Sequence, residues 1–210
     1  EELEDFLTPL PKPLVGVGHS LGAVLMFMVA SRRPEWFRSL VMLEPPLING
    51  PAGLAFRALR RLGQVDRITP AGQSAGRRDY WADRDEARGY FESRGLFRHF
   101  DPDCLEDYMD AGLERRGAGW RLAFRPEVEV AIFRTTPGRL MGYSTPAVPS
   151  ALINASDSGP RFLHAGRRHA RRHRMHHEIW PGGHLFPLER PSDSAHRLMA
   201  LLETLEGERP

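Results

Sequence analysis

A short apolar run that leads straight into a Gly-x-Ser-x-Gly pattern limits the possible folds of this chain more than any other feature. Residues 14–17 read Leu-Val-Gly-Val, the pattern occupies residues 18–22, and residues 23–30 form a second apolar run. This order predicts a β-strand, a sharp turn and an α-helix in direct succession. Ser20 would then lie on the turn, with its hydroxyl directed beyond the end of the strand.

The residues around Ser20 fit the steric and electrostatic needs of such a turn. We expect glycine at Gly18 and Gly22 because a Cβ at either position would collide with the adjoining helix or strand. Leu21 is the first residue of the predicted helix, so its backbone N–H is available to a developing oxyanion and is assisted by the helix dipole. The turn therefore predicts a nucleophilic serine with one oxyanion donor beside it.

A nucleophilic serine requires a base, and a glycine-rich loop near the other end of the chain contains a candidate. His184 lies in the run Pro-Gly-Gly-His-Leu-Phe-Pro over residues 181–187. The preceding segment 175–180 reads as a strand, and segment 191–205 reads as a helix with proline at its start. A histidine on a loop at the carboxyl end of one parallel strand can reach a serine at the same end of another.

These two segments together resemble the α/β-hydrolase superfamily, and more narrowly its lidded serine esterases and lipase-like hydrolases of bacterial type. The resemblance implies an α/β fold in which helices flank a parallel sheet and a helical cap is inserted between strands. It also implies that Ser20 is the nucleophile, His184 the general base and acid, and Leu21 an oxyanion donor, with no cofactor and no metal. Several strands precede the serine turn in full-length members, so the N-terminal strands of the fold are expected to be absent from this sequence.

The acid of the implied Ser–acid–His triad has two candidates. Asp157 follows the predicted strand 151–154, where most members carry their acid, but it falls one or two places early. Glu44 ends the predicted strand 40–43, which is the acid position in some members, including certain haloalkane dehalogenases. We favour Glu44 slightly, and the deciding criterion is a hydrogen bond from the imidazole of His184 to the carboxylate.

A serine nucleophile implies attack on a carbonyl carbon and an acyl-serine intermediate. Hydrolysis of carboxylic esters is the default chemistry, and hydrolysis of amides, thioesters or carbon–carbon bonds would use the same groups. A protein from another class stays open as well, namely a non-catalytic ligand-binding protein that keeps the fold and the pocket. Absence of a carboxylate near His184 would favour that alternative.

The chain divides into three predicted parts: residues 1–46 and 150–210 form the hydrolase core, and residues 47–149 form a cap or lid. Glycine and proline punctuate the insertion, and its helices are predicted at 54–62, 78–89, 90–97, 102–113 and 126–134. Its many apolar and aromatic residues indicate a water-poor site for a small-molecule ester with a small to medium apolar acyl group. For any one of these residues, packing within the cap is the better interpretation.

Composition excludes several other classes of function. A chain of 210 residues that is 41% hydrophobic suffices for one sizeable core and a subdomain. It contains no apolar run that approaches the roughly 18 residues of a membrane span, and its formal net charge of +2 does not indicate a nucleic-acid partner. The single cysteine, Cys104, excludes an internal disulfide and fits a reducing, cytoplasmic location.

Residues 161–177 form an Arg/His-rich segment that invites a different interpretation. His169 and His173 are four residues apart, which is metal-ligand spacing on a helix. A metal site or a basic nucleic-acid module is therefore a competing hypothesis. No zinc-ligand pattern accompanies the pair, and we interpret the segment as the solvated face of an outer helix.

Overall fold

Four parallel strands form the first sheet of the computed structural model, which describes residues 2–48, 50–137, 140 and 142–207. Over these residues the strands are β1 (Leu14–His19), β2 (Phe37–Leu43), β3 (Tyr80–Trp81), β4 (Leu113–Arg116), β5 (Gly119–Leu122), β6 (Ser150–Ala155) and β7 (His176–Trp180). The α-helices are α1 (Glu2–Leu7), α2 (Leu21–Arg32), α3 (Gly50–Arg61), α4 (Ala71–Ser74), α5 (Arg84–Glu92), α6 (Pro102–Gly112), α7 (Pro126–Thr135), α8 (Pro160–His173), α9 (Phe186–Glu189) and α10 (Pro191–Gly207).

The chain separates into two compact units. We call them the sheet unit, with the described residues of 1–50, 139–186 and 192–210, and the inserted unit, with those of 51–138 and 187–191. In the sheet unit the strand order is β1-β2-β6-β7, and all three pairings are parallel. Parallel pairing brings the carboxyl ends of the four strands to one edge of the sheet, which is where such sheets carry their functional groups.

The central strands of the sheet unit are covered on both faces. In β2, Leu40 and Met42 contribute to one apolar cluster, whereas Val41 and Leu43 contribute to another. Successive side chains of a strand point to opposite faces, so the two clusters lie on opposite sides of the sheet. The first cluster includes apolar residues of α2, and the second includes residues of α10. The predicted α/β-hydrolase fold, with helices flanking a parallel sheet, is confirmed.

The inserted unit contains a second sheet that the sequence did not predict. Strands β3, β5 and β4 pair antiparallel in that order, and the hairpin between β4 and β5 turns at Gly117, whose φ is 61°. The prediction of helices over 78–89 and 90–97 is wrong, because Tyr80–Trp81 is a strand and one helix covers Arg84–Glu92. Trp81 pairs with Trp120 of β5, and its side chain is fully buried in the core of this unit.

The Arg/His-rich segment forms α8, and its interpretation as a wholly solvated face requires correction. The arginines are exposed, but His169 and His173 are each only 3% exposed. Together with Gly166 and Ala170 they form a buried stripe at the i, i+3, i+4, i+7 spacing of an amphipathic helix. Within the described residues, no helix combines the length and the apolar character that crossing a bilayer requires.

Candidate active site

Ser20 occupies a strained turn between β1 and α2. Its φ is 52° and its ψ is −124°, a backbone conformation that residues with a Cβ rarely adopt. The turn is held from the adjacent strand, because the Ser20 N–H donates to the carbonyl oxygen of Leu43 at 2.8 Å. The serine is therefore fixed at the carboxyl edge of the sheet, where β1 ends and the helix begins.

The two glycines of the pattern have different roles. A Cβ on Gly18 would lie 2.6 Å from the carbonyl oxygen of Gly22 and 2.7 Å from the backbone of Ala23, so only glycine fits there. A Cβ on Gly22 would meet nothing within 4 Å. The expectation that a side chain at Gly22 would collide with its surroundings is wrong, because the start of the helix is open to solvent on that side.

Leu21 is the first residue of α2, as predicted from the sequence. Backbone N–H groups in the first turn of a helix have no carbonyl partner within the helix. No hydrogen bond from the Leu21 N–H is found within the described part of the chain. This N–H is adjacent to Ser20 and carries the positive end of the helix dipole, which suits it to bind an oxyanion.

His184 and Ser20 are in hydrogen-bond contact although they are 164 positions apart in sequence. The distance from His184 Nε2 to Ser20 Oγ is 3.0 Å. His184 lies between β7 and α9, in a stretch without regular secondary structure over residues 181–185. A neutral imidazole whose Nε2 accepts from the serine hydroxyl is the arrangement of a general base and its nucleophile.

The His184 loop has to cross the end of the sheet to make this contact. Strands β1 and β7 are the two edges of the four-stranded sheet, so about 14 Å separates them at about 4.8 Å per strand spacing. Four residues lead from Trp180 to His184, and a fully extended chain of that length spans about 14 Å. The backbone of this segment and the side chain of His184 together bring the imidazole to Ser20.

Two residues after β6 form hydrogen bonds with this loop where it passes the end of β6. The Gly182 N–H donates to Ser156 Oγ at 3.1 Å, and the Asp157 N–H donates to the Gly182 carbonyl oxygen at 3.1 Å. Beyond His184, the Phe186 N–H donates to the Gly183 carbonyl oxygen at 3.0 Å. The loop is thereby anchored on both sides of the histidine.

The imidazole of His184 is open on one side and packed on the other. Its ring centroid lies 5.0 Å from that of His19 and 6.3 Å from that of Phe162. Burial against these neighbours and the like charge of His19 lower the pKa of His184 to about 4. The ring is therefore neutral at pH 7 and free to accept a proton.

Glu44 is buried beside the turn and makes no hydrogen bond or ion pair with His184 among the described residues. The residue is 1% exposed, and its carboxylate accepts from the Ala155 N–H at 2.6 Å and from Asn154 Nδ2 at 3.1 Å, and also from the Ser158 hydroxyl. Three donors from the end of β6 and the loop after it thus surround the carboxylate. Its negative charge also acts on His19, where it opposes the lowering of the pKa by burial.

Asp157 is exposed, and its carboxylate accepts from the Ser156 hydroxyl at 2.7 Å. Among the described residues, neither Asp157 nor Glu44 is hydrogen-bonded to the imidazole of His184. The structure thus brings Ser20, Leu21 and His184 together, whereas the hydrogen bond expected from the His184 imidazole to a carboxylate is not formed among the described residues.

Other reactive groups lie outside this constellation. The Cys104 thiol lies on α6, where burial and then the nearby aspartates raise its pKa, which disfavours the thiolate. The described ranges contain no cluster of three or more His, Cys, Asp or Glu side chains that could hold a metal ion. The rings of His169 and His173 are 4.4 Å apart and tilted against each other, which is a packing contact.

Comparison with known proteins gives the chain a family. A sequence profile described as the "Alpha/beta hydrolase family" matches residues 1–197. Among curated proteins, the chain is similar to the "Type I acyl-CoA thioesterase mpaH" of Penicillium roqueforti (strain FM164), with 30% identity over 104 residues. That alignment covers 50% of this chain but only 22% of the thioesterase, so the chain matches about a fifth of its curated relative.

Solved structures agree on the fold. The "Thioesterase Domain From Curacin Biosynthetic Pathway" superposes with a TM-score of 0.68 and 19% identity, over 97% of this chain and 71% of that chain. E-2-(acetamidomethylene)succinate hydrolase superposes with a TM-score of 0.71 and 18% identity, over 96% of this chain and 71% of that chain. At these identities the similarity establishes a shared fold.

Proposed function

The chain belongs to the alpha/beta hydrolase family, and we propose that it is a serine hydrolase that cleaves carboxylic esters of small to medium apolar acyl groups. The observation that carries this proposal is the 3.0 Å contact between His184 Nε2 and Ser20 Oγ, made by a serine on a strained turn. Strained backbone is retained where the surrounding structure holds it in place, and such sites are often functional.

In the proposed reaction, Ser20 Oγ attacks the acyl carbon while His184 Nε2 takes the hydroxyl proton. The oxyanion that forms is bound by the Leu21 N–H. His184 then gives its proton to the leaving alcohol, which leaves an acyl-Ser20 ester. Water attacks this ester with His184 as the base, and the acid product and free Ser20 are released.

Neither carboxylate is hydrogen-bonded to His184 among the described residues, and we propose Glu44 rather than Asp157 as the acid of the site on other grounds. Glu44 is buried and its charge acts on His19, whose ring packs against that of His184. Asp157 is exposed, and its backbone N–H already serves the loop that carries the histidine. The position of Glu44 at the end of β2 also agrees with the resemblance drawn from the sequence.

The inserted unit is proposed as the lid and as the source of acyl-binding surface. Trp81 and Phe91 are buried in its own core and are unsuited to a pocket. Leu96 and Phe124 remain 57% and 51% exposed, so they contribute apolar surface of this unit. Exposed apolar surface of this kind favours substrates with a hydrocarbon acyl chain.

Two alternatives have specific support. The relatives named as thioesterases favour a thioester as the substrate, which the same groups would cleave. The lack of a hydrogen-bonded acid at His184 among the described residues favours a non-catalytic ligand-binding protein. A fluorophosphonate probe, which reacts with activated serines, separates the enzyme from the binding protein.

We expect the probe to label the protein, Ser20→Ala to abolish labelling, and His184→Ala to reduce it by at least about 100-fold. Ser192→Ala, at an exposed serine of α10, serves as the matched control and should label like the wild type. No labelling of folded protein would refute the enzyme and leave the binding protein. Rates on p-nitrophenyl esters and acyl-CoA thioesters of equal chain length then decide between ester and thioester.

A further inference from the structure

His19, the residue before the serine, makes a hydrogen bond that the proposed reaction does not use. Its Nε2 lies 2.7 Å from the carbonyl oxygen of His184. A carbonyl oxygen can only accept, so the Nε2 of His19 carries the proton and donates it. This bond defines the ring's tautomer, with Nδ1 unprotonated in the neutral form.

His19 and Ser20 together hold both ends of His184. The Ser20 hydroxyl is hydrogen-bonded to Nε2 of the His184 imidazole, and the His19 side chain is hydrogen-bonded to the backbone carbonyl of His184. The two imidazole rings also pack at 5.0 Å with an interplanar angle of 45°. Two consecutive residues at the end of β1 thus fix the position of one residue from the far edge of the sheet.

The bond from His19 restrains a different part of the His184 loop from the bonds made by the residues after β6. The restraints from Ser156 and Asp157 act on Gly182, where the loop passes the end of β6. The bond from His19 acts at the end of β1, where the loop arrives. Because the stretch over residues 181–185 has no regular secondary structure, the orientation of His184 depends on such local bonds.

We propose that His19 is a positioning residue that holds the His184 backbone so that its imidazole stays within reach of Ser20. This inference rests on the proposed function, since it concerns the same site. His19 touches neither Ser20 Oγ nor the substrate in this scheme and acts only through His184. Misplacement of a general base by about 1 Å can reduce the rate by about 100-fold.

Two substitutions separate positioning from simple packing. In His19→Gln the side-chain amide nitrogen can occupy the place of Nε2 and donate to the His184 carbonyl. In His19→Asn the amide is one methylene shorter and cannot reach it. Both variants are neutral and polar and lack the imidazole, so they differ in whether the side chain can donate a hydrogen bond to the His184 carbonyl. His164→Asn, at an exposed histidine of α8, is the control for loss of a histidine elsewhere.

We expect kcat for a p-nitrophenyl ester to fall about 10- to 100-fold in His19→Asn with KM changed less than about 2-fold. His19→Gln should recover kcat to within about 3-fold of the wild type. In both variants the acid limb of kcat/KM should move to higher pH, because the like charge that lowers the His184 pKa is gone. Urea unfolding of each variant reports any loss of fold separately.

Equal kcat in the Gln and Asn variants, whether reduced or not, overturns the positioning role. A wild-type protein that folds but neither hydrolyses esters nor reacts with the fluorophosphonate refutes the proposed function and this inference with it. Labelling of Ser20 in His19→Asn at the wild-type rate refutes the inference alone. Each result therefore has one interpretation.

Discussion

The buried ring of His169 in α8 predicts a defined contribution to acid destabilisation of the sheet unit. His169 is 3% exposed, its ring packs edge-on against Phe27 of α2 at 4.7 Å, and its buried Nε2 has no hydrogen-bond partner in the described structure. Burial, and then the charges of His173 and Arg172, lower the pKa of His169 from 6.5 to about 3. The folded protein therefore keeps this ring neutral where the unfolded chain would protonate it.

The sign and size of the effect follow from proton linkage. Between pH 7 and pH 5 the unfolded chain binds a proton at residue 169 and the folded protein does not, so the free energy of unfolding falls as the pH falls. With an unfolded pKa of 6.5, the loss over this window is about 2 kcal/mol for this group alone. Burial also lowers the pKa of His173, which adds to the loss in the same direction.

The assay is urea unfolding at pH 7, 6 and 5, at constant ionic strength, followed by tryptophan fluorescence. His169→Leu removes the titrating group and nearly conserves the volume of the side chain. Between pH 7 and pH 5 the free energy of unfolding should therefore fall less in this variant than in the wild type, and the difference between the two should be about 2 kcal/mol. His164→Leu, at an exposed position of the same helix, should keep the wild-type pH dependence. Identical pH dependence in His169→Leu and the wild type would refute the reasoning.

Two further predictions concern the serine turn and the acid. Gly18→Ala places a Cβ 2.7 Å from the backbone of Ala23 and should lower the free energy of unfolding by about 2 kcal/mol or more. Gly22→Ala meets open space and should change the free energy of unfolding by no more than about 1 kcal/mol. Equal losses for the two variants in urea unfolding would contradict this prediction. Glu44→Gln should slow fluorophosphonate labelling by about 1000-fold or more, and Asp157→Asn should slow it by less than about 10-fold. If Glu44→Gln slows labelling by only about 10-fold, the role of Glu44 is to anchor the loop.

The central elements of the sheet unit could be predicted because each is defined by local sequence. The strand predicted over 40–43 is β2, which begins earlier, at Phe37, and the strand predicted over 151–154 is β6 with one more residue at each end. Buried parallel strands appear in sequence as short, continuous apolar runs, and those runs are bounded by polar or turn residues. Their ends were less accurate, because strand ends depend on pairing with neighbours.

The second sheet escaped prediction because its strands contain only two to four residues. Arg116 pairs with Gly119 across a loop of two residues, and Gly117 in that loop has a positive φ. Glycine followed by a second residue between two paired segments is a hairpin signal. The sequence contains this signal, but a glycine at such a position is equally typical of a break between two helices.

The burial of His169 and His173 shows a similar limit. Arginine dominates the segment, and its abundance concealed a buried stripe built from Gly166, Ala170 and the two histidines. Small residues at helical spacing allow close packing of a helix on its neighbour, so this pattern was detectable in principle. The role of His19 was not, because it occupies a variable position of the serine pattern and its partner is a backbone atom.

The predicted acid failed to meet His184 for a reason that also explains how the histidine is held. Glu44 at the end of β2 binds the end of β6 and the loop after it. That loop, through Ser156 and Asp157, binds Gly182, and His19 at the end of β1 binds His184. Hydrogen bonds therefore follow one another along the carboxyl edge of the sheet, from β2 to β6, to the His184 loop and on to β1. Loss of any one of them would act on the distance between His184 and Ser20, so a rate effect at Glu44 identifies an acid only when it far exceeds what misplacement alone produces.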